Sequence, residues 1–183
     1  MCIRDRLRSS PEFVNLVTTF ENPLIGILVG AGFTAIIQSS SASVGILQAL
    51  AMSGVITLPS AIYVLFGQNI GTCITAVLAS IGTGRNAKRT TIIHLSFNII
   101  GTIVFVFISM LTPFASFMQS LTPTNIPAQI ANVHTVFNVV TTLLLLPFGA
   151  QLVKLSYLVL PEKEGFEDKL SVKFLDNSIF TND

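Results

Sequence analysis

Two long stretches of this chain alternate apolar and small polar residues without a single full charge. No Asp, Glu, Lys or Arg occurs from Asn22 to Gly84, and none from Thr90 to Val153. A helix at the surface of a soluble domain needs a polar or charged face, so helices drawn from these stretches are expected to meet lipid. A crossing takes about 20 apolar residues. Residues 90–111 and 128–148 fit one crossing each.

The segment 23–53 does not fit so simply. It is interrupted by Gln38-Ser39-Ser40-Ser41, which leaves two apolar pieces, each in the 10–14-residue range that suits a re-entrant or core segment better than a crossing. The pattern predicts a re-entrant helix hairpin with Gln38 to Ser41 at its tip, the alternative being one broken crossing. Residues 59–84 repeat the device, with Gly67-Gln68-Asn69-Ile70-Gly71-Thr72 between two apolar halves. Because glycine permits unwinding, this segment is expected to be a broken transmembrane helix. Gln68, Asn69, Thr72 and Thr75 would then satisfy freed backbone groups, unless they serve helix packing.

The fold class expected is an all-α integral membrane protein: one inverted repeat with a re-entrant helix hairpin and a broken transmembrane helix. Composition agrees, with 51% hydrophobic and 10% charged residues among 183. The net charge of +1 points to no nucleic-acid partner. Cys2 and Cys73 are too few for a disulfide framework or a metal centre. Residues 1–20 read as a leader and pre-hairpin segment of doubtful nativeness, 21–160 as the membrane repeat, and 161–183 as a cytoplasmic linker. Arg85-Asn86-Ala87-Lys88-Arg89 is the one charged loop between the apolar stretches, and it is wholly basic. The positive-inside rule puts it in the cytoplasm, with the turn from Pro113 to Pro127 outside.

Polar groups in hydrocarbon cost roughly 2–7 kcal/mol each when unpartnered, so the hydroxyl run implies a solute site. Serine and threonine hydroxyls with asparagine and glutamine amides can serve an oxyanion and a hard cation together. The oxyanion would sit at the N-terminus of a half-helix, and sodium on carbonyl and hydroxyl oxygens. The charge-free stretches hold no carboxylate of the kind proton-driven carriers use, which favours sodium as coupling ion. A 40-residue echo joins His94-Leu95-Ser96-Phe97-Asn98 to His134-Thr135-Val136-Phe137-Asn138. His and Asn four apart share a helix face, as interhelical packing groups or as ligands.

The pattern Thr34-Ala35-x-x-Gln38-Ser39-Ser40-Ser41-Ala42, then Gly67-x-Asn69-Ile70-Gly71-Thr72-x-x-Thr75-Ala76, then Lys88-Arg89 and His94-x-x-Phe97-Asn98 resembles the sodium-phosphate cotransporter family over about residues 20 to 155. By that resemblance the chain would be the C-terminal of two inverted repeats. A missing N-terminal repeat, or a second copy, would complete the site, and a C-terminal cytoplasmic domain would follow the tail. The implied function is sodium-coupled inorganic phosphate transport in the inner (plasma) membrane, with phosphate, sodium and the lipid bilayer as partners and no cofactor beyond the coupling ion. Gln38, Ser39, Ser40, Ser41, Asn69, Thr72 and Thr75 become the substrate and ion contacts, with Ser39 and Ser40 for phosphate and Gln38, Asn69 and Thr72 for sodium. Thr34, Gln68, His94, Asn98, His134 and Asn138 are secondary candidates. The rival readings are an intramembrane serine/histidine hydrolase, which lacks a Gly-x-Ser-x-Gly elbow, and a passive anion channel subunit.

Overall fold

The computed structural model describes residues 22–162, so the expectations for residues 1–20 and for the tail beyond 162 lie outside the described residues. Among those residues the chain is all-α. Helices α1 (Pro23–Ile37) and α2 (Ser40–Met52) are followed by α3 (Leu58–Ser80), α4 (Arg85–Leu111) and the short α5 (Phe114–Leu121). Then come α6 (Ile126–Leu145), a 3-10 turn (Leu146–Phe148) and α7 (Gly149–Val159). Three segments are long and apolar enough to cross a membrane: Leu58–Ser80, Arg85–Leu111 and Ile126–Val159. At 15 and 13 residues, α1 and α2 fall short of a crossing on their own.

Local chemistry explains most of the boundaries. Asn22, Thr57 and Asn125 each accept a first-turn N–H at the start of a helix that carries proline in its first turn, where the missing proline N–H costs nothing. Helix α1 stops at Gln38, which takes left-handed backbone with φ 57. Ser39 then caps α2, its hydroxyl accepting from Ala42 N at 3.3 Å. The chain reverses here: Val29 and Phe33 on α1 share a small apolar pocket with Ile46 and Leu50 on α2.

One expectation is corrected. The segment read as a broken helix is continuous, since α3 runs unbroken through Gly67 and Gly71. The two glycines are there for contact. A Cβ at Gly67 would collide with the carbonyl oxygen of Ile27, one at Gly71 with that of Ala31, and one at Gly30 with that of Val64. Residues 27 and 31 thus pair with 67 and 71, so α1 and α3 run parallel, backbone against backbone, in the small-residue packing that membrane helices use where lipid supplies no hydrophobic drive.

Two boundaries also move. Arg85 to Arg89 is the opening of α4, not a loop, and the turn expected over 113–127 contains α5, which buries Phe114 and Met118. Arg89 is 5 % exposed. Its guanidinium lies 3.8 Å over the Tyr157 ring, donates to Leu160 O at 3.2 Å and Asn86 Oδ1 at 3.1 Å, and reaches Glu162 at 3.5 Å. Arg85 donates to Pro161 O. The basic opening of α4 therefore holds the end of α7, and residues 85–89 and 160–162 lie at the same end of the molecule.

The core forms on α3. Phe66, Phe105 and Phe137, from α3, α4 and α6, meet with ring centroids 5.0 to 5.7 Å apart, in the tilted and edge-on range that aromatic pairs prefer. Leu65, Met118, Ile130 and Val133 close around them. Outward, Leu24, Leu28, Ile36, Ile103, Phe107, Leu143 and Leu158 are exposed, as suits helices solvated by acyl chains.

Candidate functional site

Four helices place uncharged polar side chains around one cavity of about 350 Å³, lined by Ser40, Asn69, Thr72, His94, Phe97, Asn98, His134 and Asn138. Ser40 is the first residue of α2, so the free N–H groups and positive dipole end of that helix lie beside the cavity. Asn69 and Thr72 stand three apart on α3, hence on one face. His94, Phe97 and Asn98 come from α4, and His134 and Asn138 from α6. The His/Asn echo in the sequence is thus brought to a single cavity from two antiparallel helices, which Phe105 against Phe137 and Gly101 against Thr141 hold together.

Part of the donor capacity in this lining is already used. Asn69 Nδ2 donates to Leu65 O at 3.0 Å, Asn98 Nδ2 to His94 O at 3.0 Å, and Asn138 Nδ2 to His134 O at 2.8 Å. Asn98 Nδ2 also approaches Cys73 Sγ at 3.3 Å. Thr72 donates to Gln68 O at 2.9 Å. A backbone carbonyl can only accept, so each amide is oriented with its nitrogen towards its own helix.

The remaining predicted residues sit elsewhere. Gln38, Ser39 and Ser41 are exposed at the turn between α1 and α2 and do not line the cavity. Thr75 is exposed, its hydroxyl donating to Thr72 O at 2.9 Å. Thr34 and Gln68 are buried where α1, α2 and α3 meet. There Gln68 Nε2 donates to Ser43 O at 3.1 Å and ties α2 to α3, while Thr34 Oγ1 and Gln68 Oε1 have no partner. Sequence reasoning passed over Phe97 as a lining residue, although it lies between His94 and Asn98 in the quoted motif.

A family model described as Na+/Pi-cotransporter matches residues 9–122. The chain belongs to the Na+/Pi-cotransporter family. It is 44% identical over 138 residues to the uncharacterized protein YqeW of Bacillus subtilis (strain 168), covering 75% of this chain and 44% of that protein. It is 43% identical over 84 residues to sodium-dependent phosphate transport protein 2B of Homo sapiens, covering 44% of this chain and 12% of that protein. It is 25% identical over 158 residues to the putative inorganic phosphate export protein YjbB of Escherichia coli (strain K12), covering 85% and 28%. The chain spans less than half the length of each of these relatives. No solved structure matches it. Family and helices together make this a membrane protein of a transporter family.

Proposed function

We propose that this chain contributes one wall of a sodium-coupled carrier for inorganic phosphate in the cell's inner membrane, and that it acts by binding and release without covalent chemistry. The observation that carries the reading is the cavity: uncharged hydroxyl, amide and imidazole groups from four helices, gathered at the N-terminus of α2 in a chain of a cotransporter family. An oxyanion suits the α2 N-terminus and the Ser40 hydroxyl, and a hard cation suits the asparagine and threonine oxygens. The exposed polar turn at Gln38, Ser39 and Ser41 would be costly against lipid. A second repeat, or a second copy of this chain, would cover it and add the opposite wall.

The test is phosphate flux in a host lacking other phosphate carriers, with the protein expressed from its complete reading frame. Each charge-assisted hydrogen bond is worth about 1.5–3 kcal/mol, so Ser40→Ala and Asn69→Ala should each lower flux at limiting substrate by about tenfold or more, at unchanged surface expression. Wild-type flux in both variants would refute the reading. A hydrolase is the one competitor with a structural foothold, because Ser40 shares the cavity with His94 and His134. No carboxylate lines that cavity to orient an imidazole, and Ser40 should fail to label with a fluorophosphonate probe.

The orientation has its own consequence. With the basic opening of α4 in the cytoplasm, residue 86 lies at the start of that helix, which is roughly 40 Å long, and residue 124 lies past its far end, between α5 and α6. In a background without Cys2 and Cys73, a cysteine replacing Thr124 should react with an impermeant maleimide added outside. One replacing Asn86 should react only after the cells are opened. The reverse pattern would invert the topology.

A further inference from the structure

Two imidazoles in the cavity wall have no task inside the protein. His94 on α4 and His134 on α6 both line the cavity, and the side-chain hydrogen bonds at these positions fall on their backbone carbonyls, from Asn98 Nδ2 and Cys73 Sγ at His94 and from Asn138 Nδ2 at His134. Neither ring has a hydrogen-bond partner among the described residues. No Asp or Glu stands in the lining to hold either one as an imidazolium. A neutral imidazole carries one N–H and one bare nitrogen, so each ring brings the cavity a donor and an acceptor.

The acceptor is the informative half. Donors for an oxyanion are already supplied by the α2 N-terminus, by the Ser40 hydroxyl, and by the second amide N–H of Asn69 and of Asn138, each of which spends one on its own helix. An acceptor, by contrast, repels a bare oxyanion oxygen and is satisfied only by an oxyanion that keeps a proton. The amide oxygens suit a hard cation, whereas imidazole nitrogen is a ligand for transition metals and a poor one for sodium. The bare ring nitrogens are left for a hydroxyl on the substrate.

We infer that His94 and His134 are the specificity-determining pair of this site, and that they select a protonated tetrahedral oxyanion. A bare imidazole nitrogen accepts the P–OH proton, and the N–H of the other ring donates to an unprotonated oxygen. Phosphate and arsenate, which keep a proton at neutral pH, are taken. Sulfate has the same shape but no proton there, and is refused. The echo of His94/Asn98 in His134/Asn138 acquires a reason, since it brings one such ring to the cavity from each of two helices. His134 lies beyond residue 122, where the family model's match ends, so its part in the site is carried by the cavity alone.

This inference rests on the transport reading above, and the experiment separates the two. Labelled phosphate flux is measured at saturating sodium from the complete reading frame, in a host lacking other phosphate carriers, with arsenate or sulfate as competitor. A site built to hydrogen-bond a substrate hydroxyl strongly rejects the analogue that lacks it, so arsenate should compete while sulfate should not at about a hundredfold excess. His94→Ala and His134→Ala should each raise the phosphate KM about tenfold, one hydrogen bond to an ion being lost. In the double variant the ratio of the sulfate inhibition constant to the phosphate KM should fall about tenfold or more. Glutamine at both positions restores an acceptor oxygen and should recover part of that ratio.

Ser40→Ala removes a donor that serves any oxyanion, and should raise the phosphate KM with the ratio near its wild-type value. A double histidine variant with a raised KM but an unchanged ratio would overturn the inference, because the rings would then be general donors or packing groups. Wild-type protein that sulfate inhibits as well as arsenate does would overturn it at once. If Ser40→Ala and the histidine variants all left the phosphate KM untouched, the transport reading of this cavity would fall with it. Should the alanine pair not reach the membrane, leucine at both positions fills the space without a nitrogen, and the same fall in the ratio is expected.

Discussion

Replacing Gly67 with alanine will cost folded protein, although alanine is the better helix former by about 1 kcal/mol. On propensity alone, and on any reading in which Gly67 lets the helix unwind, the substitution would stiffen and stabilise α3. The packing says otherwise. A Cβ at position 67 meets the main-chain oxygen of Ile27, which cannot turn aside as a side chain would, so α1 must move bodily off α3. Gly30 and Gly71 lie in the same seam and meet Val64 and Ala31 in the same way, so the displacement undoes three contacts together. Overpacking costs typically 1–3 kcal/mol and occasionally more. Gly67→Leu should leave little monodisperse protein in detergent gel filtration, and Gly67→Ala should lower the midpoint of thermal aggregation. Gly32 and Gly45, which have open space around them, supply the controls, and Gly32→Ala should behave as wild type. A Gly67→Ala variant that folds better than wild type but transports poorly would restore the unwinding role.

That glycine pair shows where the sequence runs out. An interruption of an apolar segment by Gly-Gln-Asn-Ile-Gly-Thr is compatible with an unwound helix and with a tight crossing, because both need a residue without a Cβ. Only the position of the Ile27 and Ala31 carbonyls decides, and it depends on a helix some 40 residues earlier. The break at Gln38-Ser39 was legible because a polar run interrupts the apolar segment there, whereas the left-handed backbone of Gln38 was not, since glutamine has no special preference for it. The charge-free stretches likewise announced the long apolar helices, since solvation by lipid acts on each helix separately.

The candidate site was half legible. Ser40, Asn69, Thr72 and the two His/Asn pairs do meet in one cavity, while Ser41 and Thr75, chosen on the same grounds, are exposed outside it. Composition cannot tell which serine of a run begins the helix. Nor could it foresee Arg89, whose place in a basic cluster suggested only a charged loop. Its stacking on Tyr157 and its bond to Leu160 O link residues some 70 positions apart.

Removing sodium should abolish phosphate flux and not merely slow it. The Lys and Arg residues among the described ones lie at 85, 88 and 89 in the opening of α4 and at 154 midway along α7, and none lines the cavity. An oxyanion entering that cavity gives up its hydration with no fixed countercharge. A sodium ion about 4 Å away is worth about 4 kcal/mol at an effective dielectric constant of 20, so its loss should reduce flux by roughly a hundredfold or more. The measurement is labelled phosphate flux after sodium is replaced by choline at constant ionic strength. Flux that survives and follows an imposed pH gradient would transfer the coupling to a proton on His94 or His134, the two titratable side chains that line the cavity. Flux that survives with no dependence on either ion would make the protein a passive anion pathway.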